Sequence, residues 1–362
     1  MPPSTMATGR QRLLSLTLRL LGILLAPLLL WWTVSRTAAS PLDALAGARW
    51  PLVLGALLCV GMTHVLGAWR WGLSLAVQGV PCTWFLLWRL TLAGTFLSQL
   101  IPGAVSGDVL KLACLSRQHP GKGAEIVMSG LIDRILGVTG LFLAGMLGGL
   151  TLVALQPRTL TDEPVIGLAL LIVTAGGLAS LLALLLLLHH RLLLRLRLAA
   201  HLTDWLARRL PHSLVALTRR LCDAAASYAS HPGQLVAVLL ISVLIHALLG
   251  AAFFLLGRAL GEHAHGFGTY FLAMQLGNAV TLVPATPGGL GLRDAVQAAF
   301  FQSLSGSDGM ALLGSIPVIH SLLVLFWALL GALALASLPT ASKPPAPSAS
   351  QHDSPGCAAH RT

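Results

Sequence analysis

Three charged pairs stand inside otherwise apolar sequence: Asp108 with Lys111, Asp133 with Arg134, and Arg293 with Asp294. Ionisable side chains in hydrocarbon are costly unless they pair or meet water, so such positions mark either a polar cavity or an internal set of ion pairs. Asp108 and Lys111 are three residues apart, on one face of a helix, and can pair. Asp133 and Arg134 fall well inside an apolar run that begins at Ala124. Gln275 and Asn278, with Gln99, add neutral polar positions on neighbouring apolar stretches. The candidate lining of a substrate cavity is therefore Asp108, Lys111, Asp133, Arg134, Gln275, Asn278, Arg293 and Asp294. The competing reading is a salt-bridge set that only fastens segments together. His64, His246 and His320 are read as core histidines rather than proton relays.

Two of the charged pairs follow breaks in the backbone pattern. One break reads FLSQLIPGAVSGDVLK at 96–111, the other NAVTLVPATPGGLGLRD at 278–294. In each, an apolar segment meets proline, then small residues and glycines, then charge. Proline ends a helix by removing a donor and clashing with the preceding turn. Glycine permits tight reversal and close backbone approach. Pro102, Gly103 and Gly107 build the first break; Pro284, Pro287, Gly288, Gly289 and Gly291 build the second. At membrane depth, unwound backbone survives only against protein or water. A helix restarting after each break has unpaired N-terminal amides aimed at the break. Two such ends facing one cavity would suit an anion such as a phosphate. Simple structural bends are the plainer alternative.

These breaks need a scaffold, and the composition says which kind. Of 362 residues, 56% are hydrophobic and 10% charged, and a mean hydropathy of +0.81 excludes an ordinary soluble domain. Leu/Ala-rich runs without alternation point to helices rather than a transmembrane barrel. Segments 13–34, 51–69, 124–155, 164–188, 234–257 and 311–338 are long enough for full spans, whereas 83–101 and 268–283 are shorter and end at the breaks.

The formal net charge of +11 is read as cytoplasmic loops under the positive-inside rule, and no motif supports nucleic-acid binding. Arg10, Arg12 and Arg19 put the N-terminus inside, and two spans return the chain at Arg70. Lys111, Arg117 and Lys122 stay inside only if 83–101 enters and returns as a hairpin. Seven arginines between Arg191 and Arg220 mark the next inner loop. The second broken segment then enters from the outside. An eight-crossing chain is the alternative, and it puts the Lys111–Lys122 cluster outside.

The expected fold is an all-α polytopic membrane protein with about six full spans and two re-entrant broken hairpins, near 83–117 and 268–304, in an inverted-repeat-like arrangement. Residues 1–12 form a cytoplasmic N-terminus, 13–338 the transmembrane domain, and 339–362 a disordered cytoplasmic tail. Loop 189–233 reads as basic amphipathic helices on inner-leaflet lipid. A signal-peptidase-like Thr37-Ala38-Ala39 is set aside in favour of an uncleaved first span.

The five cysteines form no metal-type cluster. A Walker loop, HExxH and GxSxG are absent, so no catalytic residue, metal or cofactor is expected.

The motifs IPGAVSGDVLKL at 101–112, LIDRILG at 131–137 and LVPATPGGLGLRDA at 282–295 together resemble the lysylphosphatidylglycerol synthase transmembrane-region family of flippase-like proteins. The likeness runs from about Leu13 to Leu338. It implies movement of a lipid between leaflets of the bacterial cytoplasmic membrane. The lipid would be of aminoacylated phospholipid, hopanoid or glycolipid type, with an anionic or aminoacylated headgroup. In two-domain relatives a cytosolic aminoacyl-transferase makes the lipid that the membrane half moves; this chain is expected to lack that transferase. Two other functions stay open: a membrane-embedded headgroup transferase using Asp108 and Asp133 as acid and base, and a non-catalytic partner of a separate lipid synthase.

Overall fold

The computed structural model describes residues 41–101, 106–155, 164–188, 212–283, 285–305 and 313–337. The expected span 13–34, most of the arginine-rich loop, the tail, and Pro102, Gly103 and Pro284 lie outside them. Among the described residues the chain is all α, with eleven helices and no strand. They are α1 (Pro41–Ala46), α2 (Trp50–Val77), α3 (Trp84–Leu100), α4 (Ser106–Gln118), α5 (Gly123–Leu155), α6 (Pro164–Leu188), α7 (His212–Ala229), α8 (Pro232–Ala259), α9 (Phe267–Val280), α10 (Leu292–Ser305) and α11 (Ser315–Ala336).

Five helices, α2, α5, α6, α8 and α11, are long and apolar enough to cross a membrane. They correspond to five of the six expected spans. Their outward faces carry exposed leucines such as Leu58, Leu240 and Leu333, as lipid-facing helices should. Helix starts follow local chemistry: α2 and α8 open with proline in the first turn, where its missing N–H costs nothing. Small residues let the helices approach closely. Gly140 faces Ser242 across α5 and α8, and Gly331 lies against the Leu92 carbonyl across α11 and α3.

One expectation needs correction. The second apolar segment does not end at Trp69; α2 continues to Val77 and holds Arg70 within the helix. The helix can carry Arg70 in its interior because Asp133 of α5 neutralises it.

The four remaining helices of interest form two hairpins. Helices α3, α4, α9 and α10 have 17, 13, 14 and 14 residues, below the about 20 needed for a crossing. The first hairpin, α3–α4, is rooted where Leu87, Leu90 and Leu115 pack with Trp71, Leu75 and Val80 near the end of α2 and Ile126 at the start of α5. The second, α9–α10, is rooted where Tyr270 and Phe301 pack with Phe253 and Leu256 near the end of α8 and Val53 at the start of α2. Arg49 N–H donates to the Ala259 carbonyl at 2.9 Å, so α2 and α8 run antiparallel. The two hairpins therefore enter the bundle from opposite ends.

The root of the second hairpin is further tied by Glu262, which accepts from the Tyr270 hydroxyl and the His265 backbone N–H. Burial opposes the charge on Glu262, but these hydrogen bonds and His265 outweigh it and hold the carboxyl below its usual range.

The described end of the 189–233 loop, α7, lays Ala224, Ala225 and Tyr228 on α5, α6 and α8. Tyr228 donates to the Ser74 carbonyl at 2.8 Å, and Gln78 Nε2 to the Ala224 carbonyl at 2.8 Å.

Candidate functional site between the hairpin tips

Each hairpin closes on glycine. A Cβ on Gly107 would stand 2.2 Å from the Gly94 carbonyl oxygen, so α3 and α4 can lie this close only without one. In the second tip, Pro287–Gly289 forms a 3₁₀ turn. Gly288, Gly289 and Gly291 have φ of 57°, 74° and 77°, the left-handed region open to glycine. The tips also meet each other, since a Cβ on Gly288 would fall 2.0 Å from Gln99 Oε1 of α3.

Two adjoining cavities lie around this meeting point. The first, about 250 Å³, is lined by Thr91, Thr95, Ser98 and Gln99 of α3, Gly107 and Asp108 of α4, and Thr281, Thr286, Gly288 and Gly289 of the second hairpin. The second, about 350 Å³, is lined by Arg70, Asp133, Gly137, His246 and Asn278 among others. Asp108, Lys111, Arg134 and Thr281 line both, so the charged cluster stands at their junction.

Two ion-pair groups organise the charge. Arg70 grips Asp133 with two parallel bonds, Nε to Oδ1 at 2.8 Å and Nη2 to Oδ2 at 2.9 Å, and reaches Ser242 Oγ with Nη1 at 3.0 Å. This fork geometry is the strong form of the pair. Gly137 leaves room for it, since a Cβ there would sit 3.1 Å from Nη1. Asp108 receives Lys111 Nζ at 2.7 Å on one oxygen and Arg134 at 2.5 Å on the other. The i,i+3 pairing read from sequence is thus formed. Lys111 also lies 5.2 Å over the Trp71 ring.

Asp108, Lys111, Asp133, Arg134 and Asn278 are brought together on cavity walls, with Gly107, Gly288 and Gly289 shaping them. Three other candidates lie elsewhere. Gln275 is buried and donates to the His246 carbonyl at 3.1 Å, joining α9 to α8. Arg293 and Asp294 line neither cavity. Asp294 accepts from the Gly291 N–H at 3.0 Å and from Ser321 Oγ at 2.7 Å, and Arg293 donates to the same Ser321 at 2.6 Å. The pair closes the glycine turn and fastens it to α11. Its charge is consumed there, which is why it does not face the cavity.

Sequence reasoning missed Arg70 and the hydroxyl row Thr91, Thr95 and Ser98. The row had a signal: spacing of i, i+4, i+7 puts the three on one helical face.

A family described as lysylphosphatidylglycerol synthase TM region matches residues 19–331. The chain belongs to that family. No curated protein matches it. The matched region contains both breaks, both ion-pair groups, four of the five apolar helices in full and most of α11. The protein is accordingly a multi-pass membrane protein. Among the described residues, no group of three or more His, Cys, Asp or Glu could hold a metal ion.

Proposed function

We propose that this protein moves a lipid between the leaflets of the bacterial cytoplasmic membrane, with both termini in the cytoplasm. The headgroup passes through the two polar cavities while the acyl chains stay in the bilayer. The observation that carries this reading is the meeting of two hairpins, rooted at opposite ends of the bundle, over a charged junction shared by two cavities. In the membrane the hairpins are re-entrant, one from each face, and small movements of their tips would open the junction toward one leaflet or the other.

The chemistry follows from the ion pairs. With no lipid bound, Asp108 pairs with both Lys111 and Arg134 and offsets one of their two charges, leaving one for a guest anion. An arriving phosphate can take over one of these cations. Asp108 stands in the first turn of α4, so the N-terminus of that helix lies at the same place, where the helix dipole favours an anion. Asp108 and Asp133 are each already occupied by cationic partners within the chain, which favours transport over headgroup transfer.

Reconstitution with headgroup-labelled lipids and a quencher confined to the outer leaflet tests the proposal. Wild type should make inner-leaflet label accessible. Arg134→Ala should slow this about tenfold, the value of one charge-assisted hydrogen bond. Equal rates for wild type, variant and protein-free vesicles across the lipid panel would sink the idea.

A further inference from the structure

Charge and hydrogen-bonding capacity around the cavities specify more than "a lipid". Among the described lining residues the cations are Arg70, Lys111 and Arg134, and the carboxylates are Asp108 and Asp133. Three against two leaves one positive charge in surplus. Arg70 and Asp133 cancel each other in a bidentate pair, so the surplus sits where two cations face Asp108, at the junction. One phosphodiester carries the matching charge.

The first cavity, beyond that junction, is neutral and rich in acceptors. Thr91 Oγ1 donates to the Leu87 carbonyl at 2.8 Å, Thr95 Oγ1 to the Thr91 carbonyl at 3.1 Å, and Thr281 Oγ1 to the Asn278 carbonyl at 2.7 Å. With their hydrogens committed to backbone, these hydroxyls offer lone pairs to a guest. Gln99 Oε1 and Thr286 Oγ1 are buried without a protein partner, and Thr286 is only 4% exposed. Buried polar atoms of this kind ask for a ligand or water. A guest with O–H donors satisfies the wall. An ammonium could also donate, but it would enter a region with surplus positive charge and no carboxylate left to pair with.

We infer that the headgroup is a phosphodiester anion continuing into neutral hydroxyls, a phosphoglycerol or a phospho-sugar, and that an aminoacylated, cationic headgroup is disfavoured. This rests on the translocation proposed above and assigns the two parts of the headgroup to the junction and the first cavity.

Two readouts keep the inference and the underlying proposal apart. For binding, the purified full chain is offered equal phosphatidylglycerol and lysylphosphatidylglycerol, and the retained lipid is measured by mass spectrometry. Phosphatidylglycerol should be retained at least about tenfold over the lysyl ester, from like-charge exclusion. Equal or reversed retention overturns the inference. Phosphatidic acid, an anion without the hydroxyls, should be retained less; parity with phosphatidylglycerol overturns the hydroxyl half. Phosphatidylinositol in place of phosphatidylglycerol separates sugar from glycerol. For transport, the same lipids are followed in proteoliposomes. Selective binding without transport removes the translocation reading and leaves the headgroup assignment standing. Transport without selectivity does the reverse. Thr95→Asp, which supplies the missing carboxylate, should raise lysyl-ester retention; the wild-type competition decides the matter if that variant fails to fold.

Discussion

Arg70 and Asp133 show how a charge inside a membrane helix becomes affordable. Each would be costly alone, and together they form a bidentate pair with Ser242 as a further acceptor. Removing one partner leaves the other buried and unmatched, which costs about 3 kcal/mol in such settings. Arg70→Leu and Asp133→Leu should therefore each lower the melting temperature in detergent, while the double variant regains most of the loss. Scanning fluorimetry checks this, and single variants as stable as wild type would remove the structural role. Asp133 could be singled out from sequence because an acid stands deep in an apolar run. Arg70 could not, because in AWRWG at 68–72 it looks like the end of a span. Only the position of α5 beside α2 reveals its partner. The same holds for Arg293 and Asp294. Their charge was visible, but that it would be used up on Ser321, far along the chain, depends on how α11 packs.

At the level of elements, most of the hydrophobic segments were legible. The expected 83–101 and 268–283 appear as α3 and α9, and the expected 124–155 and 164–188 as α5 and α6. Length and apolar character suffice for this, because lipid imposes one solution on the backbone. The glycine-rich break was legible for the same reason, though the division of labour among its glycines was not. Gly288 has both a positive φ and the Gln99 side chain above it. Gly288→Ala should cost about 1–2 kcal/mol from the left-handed backbone and about as much again from overpacking. Adding Gln99→Ala relieves the second part and not the first. Thermal melts of the single and double variants test this: a partial rescue is expected, and a full rescue or none would show that the tips do not meet as described. Which face of α3 looks into the cavity was beyond the sequence, since periodicity places Thr91, Thr95 and Ser98 on one side without saying what lies opposite.

Among the described residues the bundle is polarised end to end. The end that holds the root of the first hairpin also gathers Arg117, Lys122 and Arg220. There Lys122 Nζ donates to the Gln78 carbonyl at 3.4 Å and Arg220 to the Gly121 carbonyl. The opposite end, with the root of the second hairpin, mixes Asp43, Arg49, Arg258 and Glu262. In the topology we propose, the positive-inside rule turns the first end to the cytoplasm, and with it the entry of α3–α4, while α9–α10 enters from outside. Two exposed positions report this directly: Gln118, at the end of α4, and Ala264, between α8 and α9. In a background with the five native cysteines replaced, Ala264→Cys should react with a membrane-impermeant maleimide on intact cells. Gln118→Cys should react only after permeabilisation. Labelling of both from the same side would mean that the hairpins do not enter from opposite faces, and the alternating exposure of the junction would lose its structural basis. Labelling from opposite sides with the senses exchanged would instead invert the protein in the membrane. That outcome would keep the opposed hairpins and show that the basic end is not what orients them.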